Sequence, residues 1–227
     1  MDKTRVLVAR YENTLKQNEI PLFRGAVINA MEGTANVLYH NHSGDSLVYH
    51  YPMIQYKRIA KCAAIVAVES GADALGQFLS SGVSHLHIGE REEDYKIADI
   101  NANNYLIQVW DGEFDYRLNK WLPFNSENFA EYKAMDSLAD KVALMEKILT
   151  GNILSFAKGL GITLTSNVSC RISSIAGQRL SIYKGVKMMS FDIVFKTNVS
   201  LPNYIGLGKG VSLGFGTVKR INNIKSE

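Results

Sequence analysis

The spacing of apolar residues changes repeatedly along the N-terminal half, and the order of those changes restricts the fold more than any other property. Residues 4–11 alternate with the two-residue period of a strand. Pro21 then suits a first helical position, Leu22/Phe23, Ala26/Val27 and Ala30/Met31 recur at helical spacing, and Gly33 is placed to end the helix. Val37–His42 and Leu47–Pro52 read as two extended arms around the turn-forming Ser43-Gly44-Asp45. Lys61–Val68 reads as a buried strand, Gly71–Ser81 as a second helix, and Ser84–Ile88 as a short strand. With the two arms counted as one strand position, the order is β-α-β-β-α-β, which is the ferredoxin-like arrangement.

The acidic run Glu90–Asp94 breaks the composition, and Asn101–Asn104 carries a second loop signal. The domain boundary is therefore expected near residue 100, giving domains over 1–100 and 101–227. Tyr105–Trp121 alternates and predicts a hairpin turning at Asp111-Gly112. From Asn128, the stripe Tyr132, Met135, Leu138, Val142, Met145 and Leu149 predicts one long amphipathic helix, with Asn128 and Glu131 as its capping pair. A second helical run, Ile153–Leu160, follows the interruption Gly151-Asn152. Val168, Cys170 and Ile172 alternate with polar residues, as do Phe191, Ile193 and Phe195, so the C-terminal end is β-rich. The expected class is α+β: two tandem ferredoxin-like, RRM-like domains with a glycine-rich loop near the C-terminus.

Charge is unevenly placed. From Lys158 onward ten Lys or Arg face two acids, a balance of +8, whereas residues 1–157 carry fifteen basic and twenty acidic side chains, or −5. Clustered cations gain affinity for phosphate backbones by releasing counterions, so a cationic third is the footprint of a nucleic-acid binder; a merely solvated basic face is the alternative. No apolar run approaches the roughly 20 residues that span a bilayer. Cys62 and Cys170 have neither metal-ligand spacing nor a disulfide framework, which points to a reducing cytoplasm.

The most specific motif is Gly206-Leu-Gly208-Lys209-Gly210-Val-Ser212-Leu-Gly214-Phe-Gly216. Its form is Gly-apolar-Gly, five residues, Gly-apolar-Gly. Such glycines with a lysine let backbone N–H groups and a cation approach phosphate closely. The loop is not a Walker motif, because no Gly-Lys-Ser/Thr follows at the right spacing, nor is it a dinucleotide fingerprint. A glycine-rich hairpin without a ligand is the plainer reading of the same residues.

Set after a strand ending in Leu201-Pro202, this loop resembles the hallmark loop of the repeat-associated RNA-binding proteins of CRISPR systems. Asn152–Gly161 and Tyr183–Lys187 are similar to one branch of them, the "b" subtype of the Cas six endoribonucleases. The resemblance implies two ferredoxin-like domains, cleavage of precursor CRISPR RNA within each repeat, and neither metal nor other cofactor. CRISPR repeat RNA is then the expected partner. Further subunits of an interference complex and a second copy of the chain stay open as partners, and no membrane is implied.

Cutting RNA without metal needs a base for the 2′-hydroxyl, an acid for the departing 5′-oxygen, and a donor or cation at the phosphate. Histidine suits both proton roles, since its ordinary pKa lies near roughly 6.5. His40 and His42 stand two apart in Tyr39-His-Asn-His-Ser43, and in an extended chain both rings face one side. The resemblance implies an H-x-H pair after the first helix, and these two match it. It also suggests a tyrosine: Tyr49 is favoured, although Tyr51 has the same parity. Lys57 or Lys61 is expected to supply charge. Arg171, Lys184, Lys187 and Lys209, with Gly206, Gly208, Gly210, Ser212, Gly214 and Gly216, are the expected RNA-binding set. Trp110 and Trp121 are read as core rather than as stacking platforms.

His85-Leu-His87 is a second H-x-H on an expected edge strand. Pooled with His40 and His42 it would make a zinc site, but no carboxylate or cysteine stands at ligand spacing in the sequence. Three functions therefore stay in play: a metal-independent endoribonuclease, a non-catalytic RNA-binding subunit, and a zinc-dependent hydrolase.

Overall fold

The structure is a computed structural model that describes residues 3–31, 51–165 and 167–221. Its contacts divide the chain into two units, one comprising Met1–Tyr105 with Ser212–Gly214, the other Leu106–Val211 with Phe215–Glu227.

In the first unit, β1 (Thr4–Thr14), β2 (Ile54–Ile59), β3 (Cys62–Val68) and β6 (Ile97–Tyr105) form an antiparallel sheet in the order β2-β3-β1-β6. Helices α1 (Ile20–Ala30) and α2 (Ser70–Ser80) complete the ferredoxin-like plan. Pro21 sits in the first turn of α1, where its missing N–H costs nothing. Phe23 on α1 is the centre of the core. Its ring stacks on Tyr95 at 5.3 Å and meets Tyr11 and Tyr56 edge-on at 5.8 and 5.9 Å. Such aromatic pairs contribute about 0.5–1.5 kcal/mol each beyond their burial.

Two expectations fail here. Ser84–Ile88 does not supply the fourth sheet strand. His85–Ile88 (β4) instead pairs with Arg91–Asp94 (β5) in a separate hairpin, and the fourth position goes to β6. The acidic run and Asn101–Asn104 are therefore strands rather than loops. Asn101–Asn104 pairs with Arg5–Val8 at the sheet edge, where its polar side chains face solvent and cost little. Strand β2 was missed because Gln55 and Lys57 interrupt its apolar pattern, although both are fully buried.

The second unit repeats the topology. β7 (Val109–Trp121), β8 (Cys170–Tyr183), β9 (Val186–Val199) and β10 (Thr217–Arg220) lie in the order β10-β7-β9-β8. Strand for strand this is the order of the first sheet. The glycine-rich loop occupies the place in the chain, between third and fourth strands, that α2 occupies in the first unit. Phe191, Ile193 and Phe195 on β9 are fully buried, and Phe195 stacks on Tyr116 at 5.6 Å. Each such buried side chain contributes roughly 1.5–3 kcal/mol.

The helical expectations need correction. Asn125, not Asn128, caps α3 (Ser126–Ala134) by accepting from the Asn128 amide at 2.7 Å. Met135 is extended, and Ser137 starts α4 (Leu138–Gly159) by accepting from the Asp140 amide at 3.3 Å. The break thus falls at a capping serine, while the helix runs unbroken through Gly151-Asn152. A helical glycine costs only about 1 kcal/mol, less than α4 recovers by burying Met145, Leu149, Ile153 and Phe156 around it. Likewise Asp111-Gly112 makes no hairpin turn: it lies within β7, at a register irregularity between Val109 and Phe114. Among the described residues, no helix is long and apolar enough to cross a membrane.

Candidate nucleic-acid interface

Internal packing accounts for most of the glycine-rich loop. Gly208, Gly210, Gly214 and Gly216 all have positive φ, at 86°, 69°, 78° and 60°, where a side chain is strained. A Cβ on Gly208 would stand 2.8 Å from Trp121 Nε1 and 3.1 Å from Asn152 Oδ1; one on Gly210 would stand 2.8 Å from Phe215 and 3.0 Å from Tyr183. Gly214 would meet Ile20 at 2.6 Å. The apolar partners Leu207, Val211 and Phe215 are buried. Ser212 is held by its backbone, whose carbonyl accepts from the Tyr56 amide at 3.1 Å. Only Gly208, Lys209 and Ser212 of the expected loop set keep partial exposure; Gly206, Gly210, Gly214 and Gly216 are buried.

The two segments Asn152–Gly161 and Tyr183–Lys187 converge at this loop. Trp121 is fully buried and donates from Nε1 to Asn152 Oδ1 at 2.9 Å, which fixes the first residue of the Asn152–Gly161 segment beneath Gly208. Tyr183, which opens Tyr183–Lys187, packs edge-on against Phe215 at 5.8 Å. The β8–β9 turn is Lys184-Gly185, with Lys184 at φ 49° and its ammonium 5.8 Å above the Tyr183 ring. Lys184 and Lys209 are therefore each one residue from a packed contact, Tyr183 against Gly210, and belong to one end of this unit. Lys187 pairs with Ile182 close to the same turn and is exposed. Arg171 is exposed at the opposite end of the ribbon, opposite Lys196. At ~3.3 Å per residue the thirteen steps to Lys184 amount to roughly 40 Å. The three ribbon cations thus mark the length of the ribbon rather than one spot, with Lys209 at its turn end. Trp121 is core as expected, whereas Trp110 is 40% exposed and donates to Ser200 Oγ at 2.9 Å.

His40, His42 and Tyr49 lie outside the described residues. Tyr51, the alternative to Tyr49, is half-buried, and its hydroxyl accepts from Gln55 Nε2 at 2.8 Å. Lys57 is completely buried, and that burial pushes its pKa down to about 7, so near neutral pH it is a weak source of fixed positive charge. Lys61 is exposed at the β2–β3 turn with φ 70°. His85 stands well away in sequence on β4, with its imidazole held above the usual range by hydrogen bonds to Asp94 and Glu92.

Comparison with known proteins reads the same two units. The model of the Cas6b N-terminal domain matches residues 3–105, and that of the Cas6b C-terminal domain matches residues 108–221. The chain belongs to the Cas6b family. A crystal structure of Cas6b aligns over 97% of this chain and 100% of its own, at 26% identity and a TM-score of 0.85. A CRISPR RNA processing endoribonuclease Cas6b covers the same shares at 23% identity and a TM-score of 0.75. The fold extends to Csf5, a CRISPR-Cas type IV Cas6 crRNA endonuclease, at 12% identity and 0.56 over 96% of this chain and 99% of that one. An uncharacterized protein of Methanocaldococcus jannaschii is 38% identical over 104 residues, which is 46% of this chain and 69% of that protein. The Cas6b C-terminal match takes in the whole glycine-rich loop, so the packing of Trp121, Asn152 and Gly208 lies inside the region that defines the family.

Proposed function

We propose that this Cas6b chain is a metal-independent endoribonuclease that binds precursor CRISPR RNA and cuts it within its repeats. The observation that carries the reading is that both Cas6b domain models match, together taking in nearly the whole chain. The basic C-terminal third and the clustering of Lys184 and Lys209 support a phosphate-binding role for the second domain. In this reading the first domain, residues 1–100, supplies His40, His42 and Tyr49, and the second, residues 101–227, grips the repeat.

In the cut, one histidine takes the proton of the 2′-hydroxyl, whose oxygen attacks the adjacent phosphorus. The other histidine gives a proton to the departing 5′-oxygen, and Tyr49 donates to a non-bridging oxygen of the phosphorane. The products are a 2′,3′-cyclic phosphate and a 5′-hydroxyl. The buried glycines of the loop hold its shape, while Gly208, Lys209 and Ser212 face the RNA with Arg171, Lys184 and Lys187. Cys62 and Cys170, both free thiols, suit the reducing cytoplasm in which such RNA is made.

The deciding experiment is cleavage of a repeat RNA in excess EDTA, beside the same RNA with one 2′-deoxy nucleotide at the scissile position. Cutting is expected to persist in EDTA and to stop on the deoxy substrate while binding is spared. Loss of cutting in EDTA with rescue by zinc would replace this mechanism with metal-assisted hydrolysis. Binding without any cutting would leave a non-catalytic RNA-binding subunit.

The grip has its own test. Log affinity for repeat RNA should fall linearly with log salt concentration, and Lys209→Ala should weaken binding and shallow that slope by about one unit. An unchanged slope would remove the loop lysine from the phosphate contacts.

A further inference from the structure

The β4–β5 hairpin is built to present two histidines and two carboxylates on one face. Leu86 and Ile88 are each 2% exposed, so strand alternation turns His85 and His87 outward together. The antiparallel register sets His85 opposite Asp94 and His87 opposite Glu92. The carboxylates that the linear sequence did not place near the histidines are thus supplied across the strand pair, through the turn at Gly89-Glu90.

The atoms are arranged for coordination. Glu92 reaches both rings, with Oε2 3.4 Å from His85 Nε2 and Oε1 3.1 Å from His87 Nδ1. A tetrahedral ion with bonds of roughly 2.0–2.1 Å has ligand atoms about 3.3 Å apart, and each ring nitrogen already lies near that distance from one of the two Glu92 oxygens. The three ligand atoms all lie within 4.8 Å of one another. The remaining nitrogen of His85, Nδ1, is 2.9 Å from Asp94 Oδ1. A carboxylate there fixes the tautomer that leaves Nε2 free to bind a metal, which is the usual outer support of a zinc-bound histidine.

The hairpin is also held in place before any ion arrives. Arg91 pairs with Glu19 and with Glu93, each at 3.0 Å. Asn13 on β1 donates to Glu93 and to the Asp94 carbonyl at 3.3 and 3.1 Å, and the Tyr95 amide donates to Ser84 at 2.7 Å. Ligands fixed by their own scaffold lose little freedom on binding, which favours affinity.

We propose that His85, His87 and Glu92 form a zinc site on the β4–β5 hairpin, with Asp94 as the positioning residue and water completing the coordination. The site does not depend on the proposed cutting mechanism. It uses neither His40 nor His42, and its ligands come from both strands of the hairpin, His85 and His87 from β4 and Glu92 from β5. His, His and carboxylate with one open position is a donor set that zinc accepts.

The test uses the full chain, free of any histidine tag and stripped of metal, titrated with Zn²⁺ by calorimetry and with Co²⁺ by visible absorption. One ion per chain is expected, with a melting temperature that rises as zinc is added. His85→Ala and Glu92→Gln should each weaken uptake at least tenfold. Asp94→Asn should weaken it roughly 10–100-fold while leaving one ion per chain. A His40→Ala/His42→Ala double variant should bind zinc as the parent does. All four hairpin side chains are exposed, and circular dichroism of the unloaded variants confirms that they fold. Zinc uptake unchanged in His85→Ala and Glu92→Gln, uptake lost in the His40/His42 variant, or no saturable uptake by the parent chain would each overturn the site. Because the readout is metal binding, failure of the cleavage mechanism leaves it untouched.

Discussion

His40→Ala and His42→Ala are each expected to slow single-turnover cleavage of a repeat RNA by roughly 10²–10⁴-fold, the range for loss of a general acid or base. Their joint loss should cost less than the product of the two, because both groups act on one transition state. RNA affinity should change far less than the rate, since the cations of the second domain, which hold the phosphates in this reading, remain. The rate should trace a bell against pH, with one histidine working deprotonated and the other protonated. Lys57 sharpens that comparison. Its burial holds its pKa at about 7, so a bell that survives in Lys57→Met does not come from Lys57. Full activity in the double histidine variant would end their assignment, and a rate loss matched by an equal loss of affinity would recast them as binding residues.

How far the sequence disclosed this architecture depended on whether a local pattern agreed with its tertiary setting. The alternation of Phe191, Ile193 and Phe195 was readable because one face of β9 is core and the other is not. Helix α1 was readable because Pro21 and its apolar stripe point to the same element. Strand β2 was hidden, since a buried Gln55 and Lys57 imitate the polarity of a loop, and only the packing around them reveals a strand. Strand β6 was hidden for the opposite reason: an edge strand facing solvent has little need of apolar side chains, so Asn101–Asn104 resembled a turn. Gly151-Asn152 imitated a helix end because a helical glycine is unfavourable locally, while the cost is outweighed by the core that α4 covers.

The candidate site divides in the same way. The loop motif was legible as a unit, but what its glycines do was not, because the partners that exclude a Cβ come from Trp121, Asn152, Tyr183 and Ile20, far away in sequence. The proximity of Lys184 and Lys209 follows from the same packing and from no spacing a linear pattern contains. The carboxylate partners of His85 and His87 were missed because cross-strand register, not sequence separation, brings Glu92 and Asp94 opposite them.

Gly216→Ala should be among the most destabilising single substitutions in the second domain. At φ 60° a side chain costs roughly 1–2 kcal/mol. Its Cβ would also stand 1.9 Å from the Leu207 carbonyl oxygen and 2.9 Å from the carbonyl carbon. That backbone cannot simply withdraw, because the Leu207 amide donates to the Gly216 carbonyl at 2.8 Å, and Leu207 itself is 1% exposed. Forcing such an overlap adds about 1–3 kcal/mol, for a total of about 2–5 kcal/mol. Against a typical domain stability of about 5–15 kcal/mol this is a large share. Gly185 isolates the two contributions: its φ is 78°, but nothing lies within 4 Å of the position its Cβ would take. Gly185→Ala should therefore lose only the conformational part. Urea midpoints of the two variants measure the difference, and equal losses would mean that the Leu207 contact is not what demands glycine. RNA binding then assigns the cause. Gly216 is buried, so at low temperature, where the variant stays folded, its affinity should match the parent; weak binding by the folded variant would mean that RNA itself approaches this backbone.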